Sequence, residues 1–381
     1  MSGFVFSEKP IRIERGRGVH LYGDDGTEYL DAGASYGVAA VGHCHPTVVE
    51  AIKAQAGELL FVQGSYPTDV RDALYARLAD VAPAGLGNVW LCNSGTEANE
   101  AAIKFARSAT GRETVISTMR GFHGRTLGSL SATWKRKYRE PYEPLAGGFD
   151  FVPYGDVDEL RAAVDEDTAA LILEPVQGEG GIHPATESYL AAAREVTEDV
   201  GAALILDEIQ SGLGRTGRFW AADRAGIEPD VVTCAKGIAS GLPLGATLCA
   251  DWIAEDAGPH GSTFSGNPVV AAAGVATLDV LESESLAENA AAMGDRLLDR
   301  LTAADLPVRD VRGTGLMVGV EVKRGANALL RDLALEHRVL ALPAGRSVLR
   351  LLPPLVIGPD EVDRLADAVV AAVTDRADGE P

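Results

Sequence analysis

One lysine stands out because of the residues around it. Lys236 is the single charged residue between Val231 and Ala246, where it ends an apolar run and precedes a glycine-rich loop. A charge in apolar surroundings is costly unless it is paired or used chemically. Two interpretations follow: a side chain whose ammonium group reaches solvent from a strand end, or an amine that loses its proton readily and forms a Schiff base with a carbonyl compound.

An acidic residue ends another apolar run. Asp207 follows the segment AALIL, which is typical of a strand buried on both faces. A carboxylate there needs a cationic or N–H partner, and a protonated ring nitrogen is one such partner. The alternative is that Asp207 caps the next turn. Gln210, three residues later, could reach a neighbouring phenolic oxygen.

A third segment, NSGTEANEAAIKFA, predicts a strand end that runs into a helix. Ser94 and Glu97 have the spacing of a capping box. Gly95 permits close approach of a ligand, and the free N–H groups at the start of a helix bind phosphate. Because every such helix needs a cap, an ordinary helix start is the alternative.

Two further motifs carry groups that bind rings and carboxylates. The segment GFHGRT offers Phe122 to stack on a flat ring and Arg125 to bind a carboxylate, although an ordinary loop would read the same way. Arg350 lies inside the apolar run SVLRLLPPL and needs an anion, either a structural acid or a substrate carboxylate. Glu179, among the glycines of QGEGG, could pair with an arginine when no substrate does.

Together these residues supply a nucleophilic lysine, an acid for a ring nitrogen, a phosphate site, a stacking aromatic and two arginines for carboxylates. This combination matches the chemistry of pyridoxal 5′-phosphate.

The elements that must position these residues alternate along the chain. Buried strands are predicted at NVWLCN, TVISTM, AALILEP, AALILDE and DVVTCA, with helices such as TEANEAAIKFARSA and SYLAAAREVTEDV between them. This alternation predicts an α/β layer with a mostly parallel sheet, whose ligands bind beyond the carboxyl ends of the strands. We expect residues 45–270 to form this large domain. Residues 1–44 and 271–381 should form a smaller α+β domain.

Composition excludes several classes of protein. The 381 residues carry a net charge of -21, spread along the chain, which predicts an acidic solvated surface of the halophilic kind and argues against nucleic-acid binding. No apolar stretch is long enough to span a membrane, and the N-terminus does not resemble a signal peptide. The four cysteines are far apart, which favours reduced thiols in the cytoplasm and no metal site.

The motifs, taken together and in order, resemble those of the class III aminotransferases of the acetylornithine aminotransferase type, which have the fold-type I architecture. The resemblance covers nearly the whole chain and rests on GHCHP, NSGTEANE, GFHGRT, LEPVQGEGG, LILDEIQSGLGRTG, CAKGIASGLPLGA and HGSTFSGNP.

This resemblance implies roles for individual residues. Lys236 would bind pyridoxal 5′-phosphate covalently and act as the catalytic base, and Asp207 would hold the ring nitrogen. The other implied cofactor contacts are Gly95 and Thr96 at the phosphate, Phe122 and Ile209 on the ring faces, Gln210 at the phenolic oxygen, Glu208, and Thr263 from a second subunit. Such a shared site implies an obligate homodimer.

The resemblance also implies four substrate contacts. Arg125 and Ser262 are similar to residues that touch the substrate in this family. Arg350 resembles the residue that binds the α-carboxylate of glutamate or 2-oxoglutarate. Glu179 resembles the residue that neutralises this arginine when the other substrate is bound.

The amino donor is less well defined. One branch of the family takes N-acetylornithine, and another takes ornithine or lysine tethered to a small acidic amino-group carrier protein (LysW-type). The segments SLSATWKRKYREPYEPL and HRVLALPAGRSVLRLLPPLVI resemble the second branch. The basic run, defined as Lys135, Arg136, Lys137 and Arg139, is predicted to bind the acidic surface of the carrier, or else to be a solvated loop.

We therefore expect transfer of a terminal amino group to 2-oxoglutarate, which leaves a semialdehyde, in arginine or lysine biosynthesis. The main expectation is a carrier-tethered donor, and the alternative is N-acetylornithine. An aminomutase or a decarboxylase of the same fold is a more distant alternative, as is a protein without enzymatic activity.

Overall fold

The computed structural model describes residues 9–323 and 325–378. Its strands are β1 (Ile13–Arg17), β2 (His20–Gly23), β3 (Glu28–Asp31), β4 (Asn88–Cys92), β5 (Thr114–Thr118), β6 (Phe149–Val152), β7 (Thr168–Leu173), β8 (Val176–Gln177), β9 (His183–Pro184), β10 (Ala203–Asp207), β11 (Val231–Cys234), β12 (Gly245–Cys249), β13 (Asp310–Thr314), β14 (Met317–Glu321), β15 (Val339–Leu340), β16 (Leu342–Ala344) and β17 (Val348–Leu351).

The α-helices are α1 (Ala34–Gly37), α2 (Pro46–Glu58), α3 (Asp69–Val81), α4 (Gly95–Thr110), α5 (Leu127–Ser131), α6 (Arg136–Arg139), α7 (Val157–Ala163), α8 (Glu187–Val200), α9 (Asp251–Glu255), α10 (Pro268–Ser283), α11 (Leu286–Ala303), α12 (Ala326–Leu335) and α13 (Pro359–Asp378). Short 3-10 helices span Glu140–Tyr142, Ala221–Arg224 and Lys236–Ala239. Among the described helices, none is long and apolar enough to cross a membrane.

A seven-stranded sheet forms the large layer, in the order β4-β12-β11-β10-β7-β5-β6. β12 runs antiparallel to both of its neighbours, and the remaining pairs are parallel. Six strands therefore point their carboxyl ends to one edge. The predicted fold class, an α/β fold with a mostly parallel sheet, is confirmed.

The central strands are buried on both faces, as their continuous apolar sequences require. In β7, Leu171 and Leu173 enter one core cluster, whereas Ala170 and Ile172 enter a second one. Helices α4 and α8 both pack against β7 and β10. Ser94 caps α4 through the N–H of Glu97, and Gly111 in the left-handed conformation ends this helix.

The two ends of the chain meet in a second sheet. β1, β2 and β3 form an antiparallel meander, and β3 pairs in parallel with β15. A third, antiparallel sheet has the order β13-β14-β17-β16. The domain boundaries remain a prediction. Position 270 lies inside α10, which packs against α2 and α3 of the large layer.

Two strands of the large sheet were not predicted from the sequence. β12 (GATLC) consists mostly of small or polar residues, and β6 (FDFV) has only four residues, so neither pattern is distinct. In SVLRLLPPLVI the strand covers Val348–Leu351 and ends before the two prolines, which have no N–H for a sheet.

A tight contact joins the loop after β10 to the turn between β13 and β14. Gly315 lies in this turn with φ of 51°. A Cβ atom at Gly315 would lie 2.5 Å from the carbonyl carbon of Thr216 and 2.7 Å from the carbonyl oxygen of Arg215. Because these neighbours are backbone atoms, they cannot turn away, and the position accepts glycine only.

We expect Gly315→Ala to destabilise the protein by about 3 kcal/mol, since a left-handed alanine costs roughly 1–2 kcal/mol and overpacking adds about as much. Gly18 is the matched control, because its φ is 56° and no atom lies within 4 Å of the added Cβ. Gly18→Ala should lose only about 1 kcal/mol. Denaturant unfolding of both variants checks this, and equal losses would contradict the packing argument.

Candidate active site

A cavity of about 490 Å³ lies at the carboxyl edge of the large sheet. Its wall is formed by the residues that follow β4, β5, β7, β10 and β11, which is where ligands bind in such sheets. Nine of the predicted site residues line it: Gly95, Thr96, Phe122, Arg125, Glu179, Asp207, Ile209, Gln210 and Lys236.

Lys236 comes two residues after β11 and starts a 3-10 turn with φ of 46°. Its side chain is half-buried and faces the cavity. Removal from water lowers the pKa of its amine, and the nearby carboxylates of Asp207 and Glu179 oppose this change. The lysine therefore gives up its proton more easily than an exposed one.

Asp207 ends β10 and is held by side chains that sequence reasoning did not single out. Its Oδ2 atom accepts hydrogen bonds from Asn99 Nδ2 and His123 Nδ1, both at 2.7 Å. Its Oδ1 atom accepts from the N–H of Ile209 at 3.1 Å. The hydroxyl of Thr233 donates to Asn99 Oδ1 at 2.8 Å, which orients the amide. These bonds hold the carboxylate of Asp207 in one orientation.

A second buried acid lies behind Asp207. Glu174 follows β7, lines the cavity, and accepts hydrogen bonds from the N–H groups of Phe122 and Gly178, both at 3.0 Å. Burial raises the pKa of Glu174 to about 7. The charge of His123 opposes this rise in part, and the charge of Asp207 adds to it. The sequence motif LEP contained this residue, but its buried position could be seen only in the fold.

The start of α4 forms the opposite end of the cavity. Gly95 packs so closely on Ile209 that a Cβ atom would lie 2.8 Å from Ile209 Cδ1. The predicted capping box is only half present. Ser94 Oγ accepts from the N–H of Glu97, but Glu97 accepts from the N–H of Asn93 rather than from that of Ser94. Gly95 and Thr96 line the cavity in the first turn of the helix, where N–H groups have no partner within the helix.

An aromatic and basic stack closes one side of the cavity. The rings of Phe122 and Tyr138 meet edge to face with centroids 5.9 Å apart. The guanidinium of Arg125 lies 4.7 Å from the ring centre of Tyr138. Tyr138 belongs to α6, so this stack joins the cavity to the helix that carries the basic run.

Arg350 is fully buried and does not itself line the cavity, but it contacts two residues that do. Its Nη2 atom donates to Glu179 Oε1 at 2.6 Å and to the carbonyl of Pro343 at 3.0 Å. Its Nη1 atom donates to Gln210 Oε1 at 3.1 Å. The pKa of Glu179 is lowered because the attraction of Arg350 outweighs the cost of burial. The structure thus brings together the two residues whose pairing was expected in the absence of substrate.

Three predicted residues lie elsewhere. The carboxylate of Glu208 is turned away from the cavity, where it accepts from Ser211 Oγ at 2.6 Å and from the N–H of Ala222 at 2.9 Å. Ser262 accepts from Asn93 Nδ2 at 3.0 Å, and Thr263 is exposed at the surface. Within this single chain neither residue lines the cavity.

The profile of the Aminotransferase class-III family matches residues 6–373. The chain belongs to the class III aminotransferases. It is 46% identical to a [LysW]-aminoadipate semialdehyde transaminase of Deinococcus radiodurans, over 96% of this chain and 86% of that protein. It is 44% identical to an acetylornithine aminotransferase of Methanopyrus kandleri, over 97% and 96%.

A solved relative shows the same architecture. The ornithine aminotransferase of Toxoplasma gondii superposes with a TM-score of 0.94 at 32% identity, covering 98% of this chain and 91% of that one. That structure was described as having partial occupancy of pyridoxal phosphate at its active site. Class III aminotransferases depend on this cofactor, and so does this enzyme.

The cavity of this aminotransferase fits the cofactor. It presents an amine at Lys236, a carboxylate at Asp207 for a protonated ring nitrogen, and helix N–H groups at Gly95 and Thr96 for a phosphate. Phe122 and Ile209 provide apolar surface for the ring. The donors, acceptors and charges of the site therefore match those of the cofactor.

The buried position of Glu208 gives the aminotransferase a pH-dependent stability. Burial raises the pKa of Glu208 to about 7 from an unfolded value near 4.5, so the folded state holds this proton more tightly. The stabilisation is complete below about pH 4.5 and is lost as the pH rises through about 7.

We therefore expect Glu208→Gln to gain stability relative to the wild type between pH 5 and pH 8, because its amide resembles the protonated acid: the oxygen can accept from the N–H of Ala222 and the NH2 can donate to Ser211 Oγ. At about 1.4 kcal/mol per pKa unit, the gain should reach roughly 2–3 kcal/mol. Urea unfolding at pH 5 and at pH 8 measures this gain in the free energy of unfolding. Glu166→Gln on the exposed surface is the control. If the free energy of unfolding changed equally with pH in Glu208→Gln and in the wild type, Glu208 would not hold its proton more tightly in the folded state.

Proposed function

We propose that this aminotransferase moves the terminal amino group of an ornithine or lysine derivative to 2-oxoglutarate, with a donor tethered to a small acidic amino-group carrier protein as the preferred substrate. The relatives named for a carrier-linked semialdehyde and for acetylornithine support a donor with this carbon chain. N-acetylornithine is the second candidate. The four free cysteines support a reducing, cytoplasmic setting.

The observation that carries the proposal is the buried arrangement of Arg350, Glu179 and Gln210. A buried guanidinium must keep an anionic partner, and Glu179 supplies one on a glycine-rich loop. When an α-carboxylate takes this place, it replaces the charge of Glu179. Two different substrates can then use one site, as a transaminase requires.

The remaining residues divide the work of the reaction. Pyridoxal 5′-phosphate, when bound, supplies an aldehyde that takes up the amino group and a ring that withdraws electrons. Asp207, held by Asn99 and His123, keeps the proton on the ring nitrogen. Lys236 moves the proton at the amine-bearing carbon of the substrate. Gly95 and Thr96 would hold the phosphate, and Phe122 and Ile209 would contact the ring.

The basic run supports a docked carrier because Lys135 contacts a residue that lines the cavity. Lys135 Nζ donates to the carbonyl of Glu179 at 2.7 Å, so this lysine already touches the substrate loop. Arg136 is 83% exposed and forms an ion pair with Glu140 alone among the described residues. Lys137 is exposed as well. These two cations face solvent, where an acidic partner could pair with them.

Turnover with three donors tests the proposal: N-acetylornithine, free ornithine, and carrier-tethered ornithine or lysine, each with 2-oxoglutarate at low and high salt. We expect preference for a tethered donor. Arg136→Gln/Lys137→Gln should raise KM for that donor about 10-fold, more strongly at low salt, and leave the KM of free ornithine unchanged. Arg161→Gln/Arg309→Gln, which also removes two exposed cations, is the control.

Preference for N-acetylornithine would instead support the second candidate. Equal changes in KM for tethered and free donors would show that the basic run does not bind a carrier.

We also propose that the active enzyme is a homodimer with shared sites. An apolar surface surrounds Thr263: Leu60 is 64% exposed, Tyr66 60% and Phe264 61%, and Phe61 packs against Phe264 with ring centroids 5.2 Å apart. The buried Arg71 holds both loops by donating to the carbonyls of Val62, Tyr66 and Gly266. Apolar surface of this kind is typical of a protein interface.

Leu60→Asp/Phe264→Asp should dissociate the dimer and reduce the amount of cofactor that co-purifies, because Thr263 would no longer reach the neighbouring site. Leu335→Asp is the control, since Leu335 is 49% exposed on α12 in the other part of the molecule. Sedimentation velocity and cofactor content measure the two effects. A monomeric wild-type enzyme, or a variant that stays dimeric, would contradict this proposal.

A further inference from the structure

The loop after β10 carries a buried arginine that the proposed chemistry does not use. Arg215 is only 3% exposed and lies five residues after Gln210. Burial lowers the pKa of its guanidinium to about 9, which the charge of Asp31 opposes. In the described part of the chain its Nη2 atom has no hydrogen-bond partner. A cation in such a place costs free energy that its remaining contacts must offset.

Those remaining contacts are two backbone carbonyls. Arg215 Nη1 donates to the carbonyl of Leu316 at 3.0 Å and to that of Pro353 at 2.5 Å. The N–H of Leu316 in turn donates to the carbonyl of Arg215 at 3.0 Å. The guanidinium therefore binds two separate segments of the chain at one point.

The two segments belong to the strands around Arg350. Leu316 immediately precedes β14, and Pro353 comes two residues after β17. These strands pair with each other, and Gly319 lies opposite Arg350. Arg215 thus anchors the start of one strand and the end of the other. Any shift of β17 against the large sheet would break one of its bonds.

The same loop also reaches Arg350 directly. Asp207, Gln210 and Arg215 lie within nine residues of one another, and Gln210 Oε1 accepts from Arg350 Nη1. One short segment therefore fixes the acid at the ring, a partner of Arg350, and the strands that carry Arg350. Gly315, which accepts no Cβ against Thr216, leaves little room for sliding at this contact.

We propose that Arg215 is a positioning residue for substrate binding: its guanidinium sets the place of Arg350 relative to Lys236 and so determines affinity for substrates with an α-carboxylate. This inference rests on the proposed role of Arg350. It assigns to Arg215 an effect on binding rather than on the chemical step.

The test uses the holoenzyme with its best donor and varies 2-oxoglutarate. We expect Arg215→Met to raise KM for 2-oxoglutarate about 10-fold, while kcat changes less than about 3-fold and the cofactor content and absorption bands stay as in the wild type. Such a split indicates lost binding without a change in the chemical step. Arg215→Lys keeps the cation but lacks the planar fork, so its KM should rise less.

Two further variants make the outcome decisive. Arg112 also donates to two backbone carbonyls, those of Thr168 and Gly201, but at the opposite edge of the sheet. Arg112→Met should lower thermal stability and leave the KM for 2-oxoglutarate unchanged. If Arg215 had only a structural role, Arg215→Met would give this same result. Arg350→Met reports on the carboxylate site itself.

The outcomes distinguish the role of Arg215 from the role of Arg350. If Arg350→Met raises KM and a folded Arg215→Met does not, the role of Arg215 is wrong and that of Arg350 stands. If Arg350→Met leaves KM unchanged, the proposed carboxylate site is wrong. If Arg215→Met does not fold, the KM of Arg215→Lys for 2-oxoglutarate is the deciding measurement. A value equal to that of the wild type overturns the inference.

Discussion

The site depends on one buried carboxylate. Asp207 ends a strand in the middle of the large sheet, away from water, and its carboxylate accepts hydrogen bonds from Asn99, His123 and the N–H of Ile209. Each donor comes from a different part of the chain. α4, the loop after β5 and the turn after β10 must therefore fold together before this charge can be tolerated. The same elements form the cavity wall, so the carboxylate becomes buried only when the site itself has folded.

A second buried charge extends this dependence to the C-terminal part of the chain. Arg350 is paired only when Glu179 or another anion is present, and its partners come from loops of the large layer. In the proposed role of Arg350, a substrate carboxylate competes with this internal one. Such competition weakens binding, but it lets the site accept substrates that differ in charge, because the cation is never left without a partner.

The sequence predicted most of this arrangement because strand ends in an α/β sheet meet at one edge. The apolar runs before Lys236 and Asp207 were enough to place both residues there. His123 was not predicted, although its motif was noted, because nothing local shows that its ring turns inward to Asp207. Glu208 was assigned to the cofactor with its neighbours, but its carboxylate accepts hydrogen bonds from Ser211 Oγ and the N–H of Ala222 instead. Ser262 was assigned to the substrate and Thr263 to the cofactor of a second subunit, and within this single chain neither residue lines the cavity.

The antiparallel strand β12 has a consequence for the dimensions of the site. It separates β4, which leads to the N–H groups at Gly95, from β11, which leads to Lys236. With strands about 4.8 Å apart, the two lie roughly 10 Å from each other. This span is set by backbone hydrogen bonds of the sheet and not by side chains. Substitutions of side chains can therefore change the groups that line the cavity, whereas the distance between the ends of β4 and β11 is set by the strand order and is not altered by a point mutation.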